Sequence, residues 1–335
     1  MCFEAGSKTR CRASNVLHSL VTRHRRATTA NMPPKTHKNP ARHHLVPKFY
    51  LRRFSRRDQV RVVTRDLAKS FIANIADASV RTHYYSVDLP DGTRSSAVEG
   101  FLSHVEGSAA QVMHDLDDGR LPNAKGRATF ARFLALQIAR TQDDRRARDE
   151  AGTALARRML ELAPIDWAAG LLTRKLGREP TESEIDAKRH AMRALAPEVA
   201  LEHTQNSHIE AMLSMADYLV DFLLDRQWSI MVFRDPILLT GDAPVVCYSP
   251  QSEQGFWGVG VANAGFVAFP VSTRRALVMF RADVGLKPAQ LQGTRLFAHG
   301  MNEQLAYQCE ELIFHHPDIK HEELIELPPK GPRVL

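Results

Sequence analysis

The chain has 335 residues, 44% hydrophobic and 25% charged, the proportions of an ordinary soluble globular protein. No run approaches the roughly 18 uninterrupted apolar residues of a membrane span. The four cysteines, Cys2, Cys11, Cys247 and Cys309, are scattered without a Cys-x-x-Cys pair, which excludes a disulfide scaffold and a zinc ribbon. The formal charge of +7 is uneven: residues 1–65 hold 16 Lys and Arg against only Glu4 and Asp58, so the rest of the chain is net acidic. A basic arm on a mildly acidic body points to nucleic acid, an anionic surface or a solvated tail.

In chain order, residues 1–42 read as a disordered basic arm. Residues 1–31 lack apolar periodicity, and Met32 precedes Pro33-Pro34-Lys35 and the first organised segment, so Met32 is the expected start. The Arg- and Ser/Thr-rich composition of 1–31 also matches a mitochondrial presequence, but its apolar residues form no helical face. With no secretory apolar core, the expected compartment is the cytoplasm. Order begins at 43–54, HHLVPKFYLRRF, where Pro47 opens a short helix with Phe49, Tyr50, Leu51 and Phe54 on its apolar side. Short strands are predicted at 60–65, 70–75 and 83–87, the last ended by the turn Leu89-Pro90-Asp91-Gly92.

The middle reads as helical. Val98, Phe101, Leu102, Val105, Ala109, Val112, Met113 and Leu116 recur at three- and four-residue steps, and Gly119 and Pro122 end that helix. A second helix is predicted over about 127–162, broken by Pro164. A looser helix pair fills 164–196, with Thr181 opening one through a capping-box spacing. An amphipathic helix covers 209–224. From Trp228 the texture changes to short apolar runs at 228–233, 236–240, 244–248, 265–270 and 276–280, punctuated by Gly, Pro, Asp and Ser, which is a strand signature. A helix closes the body at about 297–311. Strands segregated from helices predict an α+β protein: short N-terminal strands, a central helical region, and a C-terminal antiparallel or mixed sheet with a closing helix. The predicted organisation is a single domain over 43–315 and a polar tail over 316–335.

There is no P-loop, dinucleotide-binding glycine motif, nucleophile elbow or His-Glu-x-x-His. His315, His316 and His321 resemble a metal cluster but lie among acids in a polar stretch, and read as solvated surface. More informative are polar groups on apolar faces. Gln137 falls on the stripe of Phe130, Phe133, Leu134 and Ile138, and Arg140 and Thr141 extend that face. A buried Arg needs a carboxylate or phosphate partner, so Arg140 is expected to pair with Glu99, Glu106 or Asp242. Glu99 and Glu106 are seven residues apart on one helix, a spacing suited to a cation, to pairing with Arg140, or to acid–base work. His44, or its neighbour His43, is a candidate proton carrier. Asp242 follows a strand in a tight turn, a position shared by ligand-binding acids and Asx-turn residues.

These segments together resemble the family called domain of unknown function 4238. The opening HHLVPKFYLRRF resembles its His-x-Val-Pro-x-x-Tyr-Leu-x-x-Phe pattern. Tyr85, Glu99, Glu106, Ala135 to Thr141, Trp228, Thr240 to Val245, Pro270-Val271-Ser272 and Asn302 follow in the same order. The likeness spans about 43–315. Ala243, where such proteins often carry Asn, and Gly241, where a small polar residue is common, depart from the pattern. The resemblance supplies no activity; it implies that His44, Gln137, Arg140 and Asp242 recur together, as members of one site would.

The functional expectation is therefore a soluble hydrolase acting on a phosphate-bearing substrate, nuclease-like in its most concrete form. His44, Asp242 and Glu106 are the candidate catalytic residues. Arg140, Gln137 and Tyr50 are the candidate substrate-binding residues, and a divalent metal is a candidate cofactor held by Asp242 and Glu106. The alternatives are a non-catalytic nucleic-acid binder using the basic stretch 35–65, and a structural protein whose polar cluster is a buried network.

Overall fold

The computed structural model describes residues 42–250, 259–285 and 287–325. The expectations for the N-terminal arm, including the Met32 start, fall outside the described residues apart from Arg42. In chain order the elements are β1 (Arg42–His44), α1 (Lys48–Leu51), β2 (Gln59–Thr64), β3 (Ser70–Asn74), β4 (Val80–Thr82), β5 (Val87–Asp88) and β6 (Arg94–Ser95). The helices α2 (Ala97–Asp117), α3 (Ala124–Ala139), α4 (Gln142–Leu162), α5 (Ile165–Leu176), α6 (Glu182–Leu195) and α7 (Gln205–Leu224) follow. The chain closes with β7 (Gln227–Val232), β8 (Thr240–Gly241), β9 (Val246–Tyr248), β10 (Phe266–Ser272), β11 (Arg275–Phe280), β12 (Gln290–Gln292), α8 (Arg295–Gln308) and β13 (Leu312–His315). The fold is α+β.

The described residues divide into two compact units, one made of those from Arg42 to Thr141 together with those from Ile209 to Ile325, the other of Gln142–His208. The larger unit is built on a five-stranded sheet of order β12-β7-β11-β10-β9, in which only the β12–β7 pair is parallel, and a four-stranded sheet of order β3-β2-β13-β8. Period-two alternation gives the large sheet two apolar faces. Along β11, Leu277 and Met279 join the core that contains Phe130 and Phe133 of α3 and Leu102 and Met113 of α2. Ala276 and Val278 point the other way, into the core with Ala298, Met301 and Leu305 of α8. Asn302 fastens α8 from within: its side-chain amide donates to the Ile237 and Leu324 carbonyls and accepts from the Leu239 N–H.

The smaller unit is helical, with a modest core of Ala163, Ala168 and Met192. The predicted capping box is present at α6: the Thr181 side chain accepts from Glu184 N–H while the Glu184 carboxylate returns to the Thr181 N–H. Gly177 ends α5 at φ 69°, a left-handed conformation that glycine adopts without the Cβ clash other residues meet.

Five segments differ from the sequence reading. Of the strand predicted over 236–240 only Thr240 lies in a strand, β8: Pro236 has no N–H to give a ladder, and the Ile237 and Leu238 N–H groups both donate to the Thr273 carbonyl. The 83–87 strand is absent because His83 takes φ 55°, which breaks an extended run; the pairing moves to β4, which joins β1 in antiparallel register. The helix predicted over 127–162 is two helices. At Arg140 the backbone leaves the helical region (φ −97°, ψ 5°), and its carbonyl accepts from the Tyr84 hydroxyl at 3.1 Å. No Gly or Pro marks that break. Residues 312–315, unassigned in sequence, form the central strand β13, paired with both β2 and β8. Residues 316–325 are not wholly a polar tail, since Leu324 and Ile325 are buried.

Candidate functional site

Arg140 is the centre of the site. It caps α3, whose start is fixed by Asn123 accepting from the Gly126 N–H. The helix buries Phe130, Phe133, Leu134 and Gln137 on one face, and that register carries Arg140 into the interior, where it is 3% exposed. Its Nη1 donates to Glu106 Oε1 at 2.9 Å and its Nη2 to Gln137 Oε1 at 2.6 Å. The expected burial and carboxylate pairing of Arg140 are thus met, with Glu106 as the partner. Burial works against the guanidinium charge, but the neighbouring Tyr85, Glu106 and Glu99 outweigh it and raise its pKa.

Glu99 stands two turns before Glu106 on α2. Burial, then the charge of Glu106, push its carboxyl up to about 7, while Arg140 pulls the other way. One carboxyl of the pair is therefore half-protonated near neutrality while the other is held in an ion pair with Arg140. Two like acids in unlike surroundings are how a site separates a proton donor from a proton acceptor.

Tyr85 completes the cluster. It is fully buried, with its ring stacked on His43 at 5.5 Å, and its N–H donates to His43 Nδ1 at 2.7 Å. Its hydroxyl feels the charges of Arg140, Glu106 and Glu99, and burial raises its pKa. Three buried polar atoms here have no hydrogen-bond partner: Tyr85 Oη, Gln137 Nε2 and Arg140 Nε. Unpaired buried donors are costly, so each of these three atoms calls for an acceptor, whether an ordered water or a ligand.

His44 is half-buried at the edge of β1. Its Nε2 lies 3.1 Å from the Ala76 carbonyl, to which it must donate. Burial lowers its pKa, with Lys48 and Arg42 acting in the same direction and the Ala76 bond and Glu106 opposing. His44 is thus a neutral imidazole in the field of Glu106.

Two sequence candidates belong elsewhere. Asp242, expected to orient His44 or hold a cation, instead accepts from the N–H groups of Glu310, Glu311 and Leu312 at 2.7, 2.7 and 2.9 Å. Both of its oxygens are filled by the turn that leads into β13, so it acts as an Asx-type anchor. Tyr50, expected to bind substrate, is fully buried in the core; its hydroxyl donates to the Pro270 carbonyl at 2.8 Å and lies 2.7 Å from Thr240 Oγ1. It ties β8 to β10, and burial raises its pKa. Among the described residues no group of three or more His, Cys, Asp or Glu is arranged to hold a metal ion, and Asp242 and Glu106 are not joined. His315, read as solvated surface, is fully buried on β13, and burial lowers its pKa to about 4.

Part of the basic stretch is ion-paired. Arg42 pairs with Asp77, Arg52 with Asp58, Arg53 with Asp117 and Arg56 with Asp318, while Arg61 and Arg65 reach backbone carbonyls.

The family described as protein of unknown function, DUF4238, matches residues 42–318. The chain belongs to this family. The match begins at β1 and ends just beyond β13, so the DUF4238 unit contains the whole Tyr85–Glu99–Glu106–Gln137–Arg140 cluster and all four sheets of the described residues. No curated protein and no solved structure matches the chain. Within the DUF4238 motifs the roles divide: Gln137 and Arg140 belong to the polar cluster, whereas Tyr50, Thr240, Asp242, Pro270 and Asn302 hold elements together. Tyr85 entered the sequence reading only through the family resemblance and with no role, because an aromatic beside another aromatic reads as core.

Proposed function

We propose that the protein is a hydrolase acting on a phosphate-bearing substrate, with Glu99 as general acid and Glu106 as general base. The observation that carries the reading is the pairing of a carboxyl titrating at about 7 with a second carboxylate fixed by Arg140, beside three unmet buried donors. A general acid works best when its pKa lies near the operating pH. Glu99 supplies a proton to the leaving oxygen, Glu106 accepts one from the attacking water, and Arg140 stabilises the negative charge that develops. His44, neutral and in the field of Glu106, can return the proton to solvent. Asp242 has no part in this reaction, and neither has Tyr50.

The test is turnover of a panel of phosphate esters by wild type, Glu99→Gln and Glu106→Gln. General acid–base groups contribute about 10²–10⁴-fold in rate, so each variant should lose at least a hundredfold in kcat. The wild-type rate should fall as pH rises through about 7, where Glu99 loses its proton. Equal rates in wild type and both variants, or a flat profile between pH 6 and 8, refutes the proposal.

A further inference from the structure

Resting on the hydrolase reading, we propose that the substrate is a small phosphomonoester whose terminal phosphate docks on Arg140 Nε, Gln137 Nε2 and Tyr85 Oη, rather than a polynucleotide. The three donors come from different parts of the chain: Tyr85 from the turn between β4 and β5, Gln137 from the last turn of α3, and Arg140 from its cap. Each residue is at most 3% exposed, and each named atom lacks a partner. Arg140 spends two of its five N–H donors on Glu106 and Gln137. The Gln137 amide is anchored through its oxygen, and its nitrogen is left without a partner. A terminal phosphate presents several acceptor oxygens in a tetrahedron and meets three such donors at once. It also suits a guanidinium, which forms paired hydrogen bonds with phosphate oxygens.

The burial of the donors decides against a polymer. An internal phosphodiester carries two bulky substituents and must lie along an accessible groove lined by free cations. Here the named donor atoms are buried, on residues at most 3% exposed. A terminal phosphate that takes the unpartnered Arg140 Nε leaves the Nη1–Glu106 bond intact, and Glu106 is the solvent-facing partner of the pair, at 23% side-chain exposure against 3%. The charged and polar groups around the incoming anion are Glu99 and Glu106 from α2, Arg140 and Gln137 from α3, Tyr85 with Tyr84 beside it, and His44 from β1 with Lys48 and Arg42 beside it. With Glu99 protonated and His44 neutral, Arg140 and Glu106 cancel, and a monoanion enters without net repulsion. In the reaction water adds to phosphorus as the ester P–O bond breaks. The proton of the water passes to Glu106, and the proton of Glu99 goes to the departing alcohol oxygen. The products are inorganic phosphate and the alcohol.

The test uses the full chain and two readouts. Inorganic phosphate binding is measured by titration calorimetry at pH 6 and pH 8 for wild type and Tyr85→Phe, a variant that deletes a buried hydroxyl with no partner and so keeps a melting temperature at or above that of wild type. Wild type should bind phosphate more tightly at pH 6, and Tyr85→Phe about tenfold more weakly, the effect of one hydrogen bond. Turnover of para-nitrophenyl phosphate is compared with that of bis(para-nitrophenyl) phosphate and a single-stranded oligonucleotide; only the monoester should react. Identical phosphate affinity in wild type and Tyr85→Phe, or no wild-type binding at millimolar phosphate, overturns the inference. Hydrolysis of the diester or oligonucleotide alone overturns it too, while the hydrolase reading stands. Phosphate binding with the predicted Tyr85 dependence but no ester turnover supports the phosphate site and refutes the hydrolase reading.

Discussion

Replacing Arg140 by alanine tests the core of the site most directly. The substitution removes the 2.9 Å bond to Glu106 and the 2.6 Å bond to Gln137. Gln137, 2% exposed, then has both ends of its amide without a partner, since its nitrogen already lacks one. An orphaned buried acceptor costs about 1–3 kcal/mol. Glu106 loses its counter-charge, but its side chain is 23% exposed and can turn toward water. The total should therefore fall near the lower end of the roughly 3–5 kcal/mol range measured when one partner of a buried ion pair is removed. Urea unfolding of wild type and Arg140→Ala should show the midpoint shift to lower denaturant with an unchanged slope. A cycle through Glu106→Gln and the double variant isolates the pair itself, and a coupling of at least about 0.5 kcal/mol is expected of residues in contact. A single-variant change below about 0.5 kcal/mol, typical of an ordinary surface position, would show that Arg140 is not the buried hub the geometry makes it.

Glu99→Gln should stabilise the protein above neutral pH. The folded-state pKa of Glu99 is raised to about 7, so the folded state binds the proton more tightly than the unfolded one, and stability falls as pH rises from about 4.5 to 7. The variant should match wild type at pH 4 and exceed it at pH 8 by on the order of 1–3 kcal/mol; equal pH profiles in thermal melts would count against a buried Glu99. Tyr50→Phe deletes a hydroxyl that bonds Pro270 and meets Thr240, so unfolding experiments should register a loss of about 1–2 kcal/mol with hydrolytic rates retained; a loss of activity in the folded variant would restore Tyr50 to the site. Asp242→Ala removes the acceptor for three N–H groups and should cost about 2–4 kcal/mol while phosphate affinity is kept in the folded fraction; weakened binding there would contradict the anchor role. Thr181→Ala should cost about 1 kcal/mol, seen as faster amide exchange in the first turn of α6, and unaltered exchange there would contradict the capping box.

The order of strands, helices and strands was legible because period-two and period-3.6 patterns report which side chains a core will take. The stripe from Phe130 to Ile138 located α3 and placed Gln137 and Arg140 on its buried face, and charge arithmetic at that face required a carboxylate near Arg140. The same patterns are blind to a backbone that turns without Gly or Pro, which is why α3 and α4 read as one helix. They are blind also to a strand such as Leu312–His315, too short to alternate visibly, whose pairing partners lie about 70 and 250 residues away.

By itself the sequence determined the α+β class, the family, the helix face that carries Gln137 and Arg140, and the need for an acid beside that guanidinium. Only the tertiary structure decided which acid. Glu99, Glu106 and Asp242 are equal candidates in sequence, because an acidic side chain does not record whether its neighbours in space will be a guanidinium or backbone N–H groups. Folding gave Glu106 to Arg140, turned Asp242 into an anchor for the 310–312 turn, and left Glu99 between burial and a like charge, where its proton is retained to about pH 7. Tyr85 entered the cluster for the same reason: its place is set by β1 pairing with β4 and by the His43 ring beneath it, contacts across some forty residues that no local pattern encodes. Burial and long-range proximity set the chemistry of a polar group, and both come into being only when the chain is folded.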